Sequence, residues 1–527
     1  MCFTSPFPDV VIPDLEVFDY LFGDISPADL ERVALVDAKT CRETTYRELI
    51  DGIEAFAAKL SSLGIGVGDV VGLLSPNSTD FAVAFHGILR AGATATPVNA
   101  LSTAEEIARQ LGDSRATMVI TVAALRDRAE AAAAAVGLPA SKVILLDGEA
   151  LRPQSSGRRA VDPRFRPETH LAVLPYSSGT TGLPKGVMLT HRNLVANAAQ
   201  VQPLKILGAD DVIIAVLPFF HIYGLSVLLT AALVARAKLV IMPSFDLEAF
   251  LAAIQDHRCT RAFIVPPLAL ALANHPVVTS YDLSSLGVIV CGAAPLDAEL
   301  NRTVNARLGV TVLQGFGMSE LSGVGHGMPV DGGRDSLGVV AQPDSCGWTL
   351  PNAVSKIVSP ETGVEIAVPD RGRSAAGELC FSGPNVMVGY LGNAEATADT
   401  IDADGFLHTG DLACVDETGC VYIIDRLKEL IKYKGYQVAP AELEALLLTH
   451  PGIADAAVVG VNDPKFGEEI PKAFVVPKPS VHLSAAEVME FVARNVAPYK
   501  KIRDVQFIET IPKSPAGKIL RKALRER

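Results

Sequence analysis

Short β-branched segments alternate with Ala- and Leu-rich segments along most of this chain. Residues 70–75, 93–99 and 116–121 have the composition of buried strands, and residues 81–90 and 103–111 have the pattern of helices. The same strand pattern recurs at 142–147, 239–244, 262–267 and 287–292. Because parallel strands need long crossover connections, usually helices, this order predicts an α/β fold with parallel or mixed sheets flanked by helices.

The region after residue 425 has a different order of elements. A helix is expected over 441–450, because Pro440 precedes it and Pro451 and Gly452 end it. Three strand patterns and a second helix pattern follow, at 454–463, 471–478, 504–510 and 484–495. This order predicts a small α+β domain. We therefore predict a large N-terminal domain over 1–425 and a small C-terminal domain over 426–527.

Composition and charge exclude several classes of protein. The chain has 527 residues, 49% of them hydrophobic, so intrinsic disorder is excluded. A formal net charge of −13 gives no general attraction for nucleic acid or anionic membranes. The eight cysteines show no C-x-x-C spacing, so we expect reduced thiols rather than a zinc or disulfide framework, and hence a cytoplasmic protein. The N-terminus lacks the basic region of a signal peptide.

One apolar stretch permits two interpretations. Residues 212–235 contain no Asp, Glu, Lys or Arg, and this length can span a bilayer. Pro218, His221 and Gly224 interrupt the stretch, which favours a buried strand over 212–217, a loop, and a helix over 225–235. A solute-binding or membrane protein built around this stretch is the alternative, and solubility without detergent distinguishes the two.

A loop rich in hydroxyls and glycines follows the apolar segment 171–175. Glycines let backbone N–H groups approach an anion, hydroxyls donate, and a lysine neutralises, so the loop suits phosphate binding. It is not a Walker A loop, because Pro184 stands where that motif continues. A flexible connector is the plain alternative. The candidate residues are Ser177, Ser178, Gly179, Thr180, Thr181, Gly182 and Lys185.

Five stretches together resemble the ordered motifs of the adenylate-forming (AMP-binding) superfamily of acyl-CoA synthetases. They are 176–187, 314–320, 409–411, 425–435 and 512–518. Three further stretches are similar to those of the 4-coumarate–CoA ligases: 217–224, 292–296 and 432–442. The resemblance implies that a carboxylic acid and Mg²⁺·ATP give acyl-AMP and pyrophosphate, after which CoA gives a thioester and AMP.

The resemblance also implies roles for individual residues. Glu320 would hold Mg²⁺, Asp411 would accept the ribose hydroxyls with Arg426 beside it, and Lys518 would contact the carboxylate and the α-phosphate. The remaining ATP or AMP contacts would come from Gly292, Ala293, Ala294, Gln314, Gly315, Phe316, Gly317, Ser319, Lys432 and Gln437, in addition to the loop residues. Ser319 stands where the family usually has Thr, and Phe316 where it often has Tyr.

Two further sites follow from the same resemblance. The acyl group would contact His221, Ile222, Tyr223, Gly292, Gly315, Gly317 and Met318. Lys434 and Gly435 would meet CoA once the small domain rotates about a hinge at Lys428. His221 and Lys434 would join Lys518 as catalytic residues. A lone His in an apolar segment is also typical of a core position, and Lys428 alone would suit an exposed turn.

The substrate stays open at the level of sequence. A hydroxycinnamate-like aryl acid and a medium- or long-chain fatty acid both fit, because the bulky Leu321 after Glu320 could narrow an aromatic pocket. A carrier-protein phosphopantetheine arm could replace CoA. A non-catalytic nucleotide-binding protein is disfavoured by the joint presence of Lys185, Glu320, Asp411, Arg426 and Lys518.

Overall fold

The computed structural model describes residues 2–146, 163–177, 184–433, 436–462, 469–479, 481–514 and 517–525. These residues form two largely parallel sheets, an antiparallel sheet and a small C-terminal sheet, with helices between and around them. The predicted α/β fold is therefore confirmed. The predicted domain boundary after 425 falls at the end of the strand Val421–Arg426 and stays a prediction.

The first parallel sheet is built around the strands expected at 70–75, 93–99 and 116–121. Its strands in spatial order are Gly389–Tyr390, Lys185–Thr190, Leu171–Val173, Thr94–Val98, Val70–Leu74, Met118–Thr121 and Val143–Leu145, with Tyr176–Ser177 paired to Lys185–Thr190. Lys185 and Ser177 are register partners in an antiparallel pair. This pairing places both ends of the predicted phosphate loop side by side.

The second parallel sheet carries the apolar core strands of the middle of the chain. Its strands in spatial order are Thr311–Gln314, Val288–Cys291, Arg261–Ile264, Val212–Ala215, Lys238–Ile241, Val33–Asp37 and the antiparallel edge strand Glu43–Thr45. The carboxyl ends of Val288–Cys291 and Thr311–Gln314 lead directly into Gly292 and Gly315. Ligands of open α/β sheets bind at such carboxyl ends, so this edge positions the site.

Helices cover both sheets and fill the core between them. They are Val17–Phe22, Pro27–Leu30, Tyr46–Ser62, Thr79–Arg90, Ala104–Asp113, Arg126–Ala135, His191–Gln200, Ala231–Val234, Leu247–His257, Pro266–Asn274, Ala298–Leu308, Arg334–Leu337 and Ala394–Thr400. The helix Tyr46–Ser62 begins at a reciprocal capping box between Thr45 and Glu48. Its Phe56 packs with Phe81 and Phe85 in the core shared by both sheets.

The apolar stretch 212–235 folds as a strand, a loop and a helix, as favoured by its sequence. The strand ends at Ala215, and the helical part begins earlier than expected, as a π-helix over Tyr223–Thr230 that continues into Ala231–Val234. The Thr230 hydroxyl donates to the Leu225 carbonyl at 2.9 Å, five residues back, which suits the wider turn. Of the helices in the described parts of the chain, none has the length and apolar composition needed to cross a membrane.

The antiparallel sheet reaches the predicted boundary at 425, and we call the residues before and after that boundary the large and the small domain. Its strands are Phe3–Thr4, Val354–Val358, Gly377–Ser382, Leu407–Val415 and Val421–Arg426, with Glu365–Ile366 paired to Val354–Val358. The short strands His326–Gly327 and Trp348–Thr349 pair separately. The small domain follows with the hairpin Ile431–Tyr433 and Tyr436–Val438, the strands Ile453–Asn462, Glu469–Pro477 and Asp504–Phe507, and the helices Pro440–Leu448, Ala485–Asn495 and Arg521–Arg525.

Candidate active site

A cavity of about 580 Å³ opens at the carboxyl edge of the second parallel sheet. The large domain supplies most of the lining residues, and Ser514 and Lys518 of the small domain also line it. The lining combines the charged side chains of Lys185, Glu320 and Lys518 with apolar side chains that include Leu204, Ile206 and Leu207. The cavity therefore suits a ligand that has both a charged and an apolar part.

Glu320 forms the centre of the first polar group in this wall. The Ser177 hydroxyl and the Tyr390 phenol donate to the same oxygen of Glu320, Oε1, at 3.0 and 2.9 Å. Glu320 is buried, and the Lys185 ammonium lies 4.9 Å from the centre of the Tyr390 ring. Two hydroxyl donors hold the carboxylate in place while it still faces the cavity, which is the arrangement that a hard cation such as Mg²⁺ needs.

Asp411 forms the second polar group. Its oxygen Oδ1 lies 3.2 Å from the Arg426 Nε, and its oxygen Oδ2 is buried without a hydrogen-bond partner in the described structure. Burial raises the pKa of Asp411, and the charges of Arg426 and Lys518 offset part of that rise. A buried carboxylate oxygen without a donor is destabilising, so Oδ2 is an acceptor that the described structure leaves unused.

The backbone around Asp411 is fixed by neighbouring strands. Asp411 and Arg426 are register partners of Leu407–Val415 and Val421–Arg426, which explains why their side chains meet. The Thr409 hydroxyl donates to the Leu379 carbonyl at 2.7 Å and accepts the Asp411 N–H at 3.1 Å. Gly410 has a φ of +70°, a value that a glycine adopts without strain.

Lys518 reaches the cavity from the small domain. Burial, and then the charge of Arg426, lower the pKa of Lys518 to about 8, although Asp411 and Glu320 counteract this effect. Its loop is held by the Ser514 hydroxyl, which accepts the Lys518 N–H at 3.2 Å. Gly517 has a φ of +77°, and a Cβ there would lie 2.9 Å from Cγ2 of Val265 in the large domain. The loop therefore docks closely against the large domain.

His221 and Tyr223 are neighbouring residues of the cavity wall. The Tyr223 phenol donates to the carbonyls of Ile264 and Val290, at 3.3 and 3.2 Å, so its ring is fixed. Burial, and then the charge of Lys518, lower the pKa of His221 to about 4, which makes the imidazole neutral at pH 7. Its Nδ1 accepts the Tyr223 N–H at 3.3 Å, so the ring proton is on Nε2.

Two glycines allow the backbone to approach the Tyr223 ring and the Gly323 carbonyl closely. A Cβ on Gly292 would lie 3.0 Å from the Tyr223 ring, and a Cβ on Gly317 would lie 1.7 Å from the Gly323 carbonyl oxygen. Position 317 therefore requires glycine, whereas a side chain at 292 would require the Tyr223 ring to shift. The Gln314 side chain bonds the backbone of Leu296 at both its oxygen and its nitrogen, so only its main chain is left for a ligand.

Most of the described residues predicted from sequence line this cavity. They are Ser177, Lys185, His221, Ile222, Tyr223, Gly292, Ala293, Gln314, Gly315, Phe316, Gly317, Met318, Ser319, Glu320, Arg426 and Lys518. Asp411 pairs with Arg426 directly behind Gly410, which does line the cavity. Tyr390 was not predicted, because its short strand carries no motif.

Other predicted residues lie elsewhere or are not described. Ala294 is exposed beyond the cavity, and Lys432 is exposed with its N–H donating to Glu469 at 2.8 Å. Lys428 is exposed in the turn Leu427–Glu429 that follows Arg426. Ser178, Gly179, Thr180, Thr181, Gly182, Lys434 and Gly435, together with the side chain of Gln437, lie outside the described part of the chain.

Comparison with known proteins decides the family. The model of the AMP-binding enzyme family matches residues 27–391, and that of the AMP-binding enzyme C-terminal domain matches residues 442–518. The chain belongs to the AMP-binding enzyme family. The resemblance inferred from the motifs is thereby confirmed. In this AMP-binding enzyme, residues of both matched regions line one cavity.

Relatives with assigned activities match over the whole chain. The 4-coumarate–CoA ligase 5 of Oryza sativa subsp. japonica is 42% identical over 99% of this chain and 96% of its own length. The 4-coumarate–CoA ligase 1 of Petroselinum crispum is 42% identical over 100% of this chain and 97% of its own.

Solved structures show the same fold. ATP-bound MatB from Rhodopseudomonas palustris matches this AMP-binding enzyme with a TM-score of 0.87 at 30% identity, over 98% of this chain and 99% of that chain. The anthranilate CoA ligase AuaEII in complex with anthranoyl-AMP matches with a TM-score of 0.87 at 26% identity, over 98% of both chains.

Proposed function

We propose that this AMP-binding enzyme joins an aromatic carboxylic acid to CoA through an acyl-adenylate. The observation that carries the proposal is that Glu320, Arg426 and Lys518 line one cavity together with apolar side chains, with Asp411 paired to Arg426. An anionic carboxylate attacks an anionic phosphate only where cations screen both, and Lys518 and Arg426 supply positive charge beside the buried Asp411. The 4-coumarate–CoA ligase and anthranilate CoA ligase relatives favour an aryl acid.

The chain's own residues divide the adenylation between them. The Asp411 oxygen Oδ2 would accept a ribose hydroxyl, and Lys185 would meet the phosphates. The Lys518 ammonium would approach both the acid and the α-phosphate, where charge changes most in the transition state. His221, neutral with its proton on Nε2, would donate a hydrogen bond to the carboxylate of the acid.

The residues around Glu320 fit a bound Mg²⁺. Its carboxylate is held by Ser177 and Tyr390 and faces the cavity, and oxygen ligands are those that Mg²⁺ prefers. Mg²⁺ would supply Lewis-acid polarisation and charge screening of the phosphates. ATP and CoA are the co-substrates in this proposal, and Lys434, Gly435 and the hinge at Lys428 belong to the thioester step. The free thiols of all eight cysteines suit the cytoplasmic location that we also propose.

A pyrophosphate-release screen tests the proposed substrate class. Hydroxycinnamates, benzoates and fatty acids of increasing length are supplied with ATP and Mg²⁺, with and without CoA. We expect aryl acids to release pyrophosphate and CoA to convert the adenylate into thioester and AMP. Preference for fatty acids would replace the aryl assignment with the fatty-acid alternative, and adenylate that never reacts with CoA would favour a carrier protein as acceptor.

A further inference from the structure

Three side chains able to ligate a metal meet at the wall of the cavity. Cys380 on the strand Gly377–Ser382 is the register partner of His408 on the strand Leu407–Val415. Glu378 lies two residues before Cys380 and therefore on the same face of the strand. One ligand atom from each side chain lies within 4.8 Å of the others, so the strand pairing assembles a Glu-Cys-His group.

The spacing of these atoms is close to that around a tetrahedral zinc ion. Metal–ligand bonds of about 2.0–2.3 Å place tetrahedral ligand atoms roughly 3.4–3.6 Å apart. The Cys380 Sγ lies 3.5 Å from the His408 Nδ1, and the Glu378 Oε2 lies 2.8 Å from the same nitrogen. Moving the Glu378 carboxylate by about half an ångström would bring its distance from the His408 nitrogen into the same range.

Outer contacts already orient two of the three ligands. The Asp402 Oδ2 lies 3.5 Å from the His408 Nε2, the ring nitrogen that faces away from Cys380. The Glu378 Oε1 accepts the Gly410 N–H at 3.0 Å. A carboxylate behind a ligating histidine and a hydrogen bond behind a ligating carboxylate are the supporting contacts that protein metal sites have.

The charges around the group also suit a divalent cation. Lys356 carries a positive charge near Cys380, but its ammonium is paired with Asp402 at 3.4 Å. Once the thiol proton has passed to the solvent, the charges of Glu378, Cys380 and Asp402 balance those of Lys356 and the metal. Glu378 and His408 also line the cavity, so the group lies at the cavity wall.

We propose that Glu378, Cys380 and His408 form a three-ligand site for a borderline-soft divalent cation, with Zn²⁺ as the ligand. The site is separate from Glu320, whose oxygen-only surroundings suit Mg²⁺, and it does not depend on the proposed function. No motif predicted the site, because the Cys and His come from different strands and match no zinc spacing.

Cobalt spectroscopy of the full-length, chelator-treated protein tests the site. Co²⁺ is titrated in excess Mg²⁺, so that the Glu320 site is occupied. We expect one equivalent of Co²⁺ to give a thiolate charge-transfer band and the ligand-field bands of a four-coordinate ion, and Zn²⁺ to abolish both. Cys380→Ser should lose the charge-transfer band, whereas the exposed Cys41→Ser should keep it.

Histidine variants test the same metal site if Cys380→Ser folds poorly. His408→Gln should lose the ligand-field bands, and the exposed His482→Gln should keep them. Asp402→Asn, which removes the carboxylate behind His408 and the charged partner of Lys356, should weaken Zn²⁺ binding by about 10- to 100-fold while keeping the charge-transfer band. A wild-type protein without a thiolate band, or a band that persists in folded Cys380→Ser, would overturn the proposal.

Discussion

The two sides of the cavity are built in different ways. On the large-domain side, Asp411 is fixed by strand pairing and by the Thr409 hydroxyl, and Glu320 is held by two hydroxyl donors. On the small-domain side, Lys518 extends from a loop that docks through Gly517. Asp411 thus belongs to a sheet and Glu320 to a short helix, whereas we propose that the small domain delivers the Lys518 cation by rotating about Lys428.

The electrostatics of the two sides differ in the same sense. Burial raises the pKa of Asp411, and the positive charges of Arg426 and Lys518 oppose this rise. The ion pair with Arg426 therefore stabilises the charged form of the Asp411 carboxylate. Burial, and then the positive charge of Arg426, lower the pKa of Lys518 to about 8, because both destabilise its charged ammonium. A bound anion would stabilise the charged ammonium of Lys518, so docking of Lys518 and binding of substrate should favour each other.

Removing the delivered cation should have the largest effect. We expect Lys518→Ala to slow pyrophosphate release by at least about 100-fold, because one electrostatic contact to the transition state is lost. Thioester formation from supplied acyl-AMP and CoA should remain near the wild-type rate. Lys513→Ala is the matched control, since Lys513 lies in the same loop but pairs with Asp455 at 2.6 Å. An adenylation rate within threefold of wild type in Lys518→Ala would refute its role.

Removing the fixed acceptor should have the next largest effect, on binding rather than on rate. Asp411→Asn keeps the size of the side chain but removes its charge, and hydrogen bonds to charged groups contribute about 1.5–3 kcal/mol. We therefore expect the ATP Kd, measured by calorimetry, to rise about 10- to 100-fold. The exposed Asp404→Asn serves as control. An unchanged Kd in a folded Asp411→Asn variant would remove Asp411 from the nucleotide site.

The pH dependence should report the delivered cation. Lys518 acts when protonated, so kcat/KM for adenylation should be constant below its pKa of about 8 and fall roughly tenfold per pH unit above it. His221, with a pKa of about 4, is neutral throughout this range. In Lys518→Arg the guanidinium stays charged, so whatever activity remains should show no decline near pH 8. A decline that survives this substitution would assign the titration to another group.

Disturbing the docking contact should have the smallest effect. Gly517→Ala places a Cβ at a positive φ and 2.9 Å from Val265 Cγ2, at a cost of about 1–2 kcal/mol. We expect adenylation to slow about five- to thirtyfold, with the acyl-AMP to thioester step unchanged. Val265→Ala in the same chain should restore part of the rate by removing the clash. Equal slowing of both steps would show that the contact serves stability alone.

Sequence patterns predicted the framework better than the contacts inside it. The strands at 70–75 and 116–121 could be predicted because β-branched runs bounded by helices are local signals. The Tyr390 contact with Glu320 could not, because the two residues are 70 positions apart and only tertiary packing joins them. The hydrogen bond between the Gln314 side chain and the Leu296 backbone could not be predicted either, because the motif around Gln314 does not show which backbone groups lie within reach.

The most direct test of a delivered cation is to lock the chain between the domains and follow each half-reaction separately. Lys428 lies in the turn after Arg426, and proline there restricts φ to about −65°. Quenched-flow measurement on Lys428→Pro should show pyrophosphate release close to wild type and a loss of thioester formation, while Lys428→Ala keeps both at an unchanged melting temperature. A folded Lys428→Pro variant that forms thioester at the wild-type rate would contradict the account.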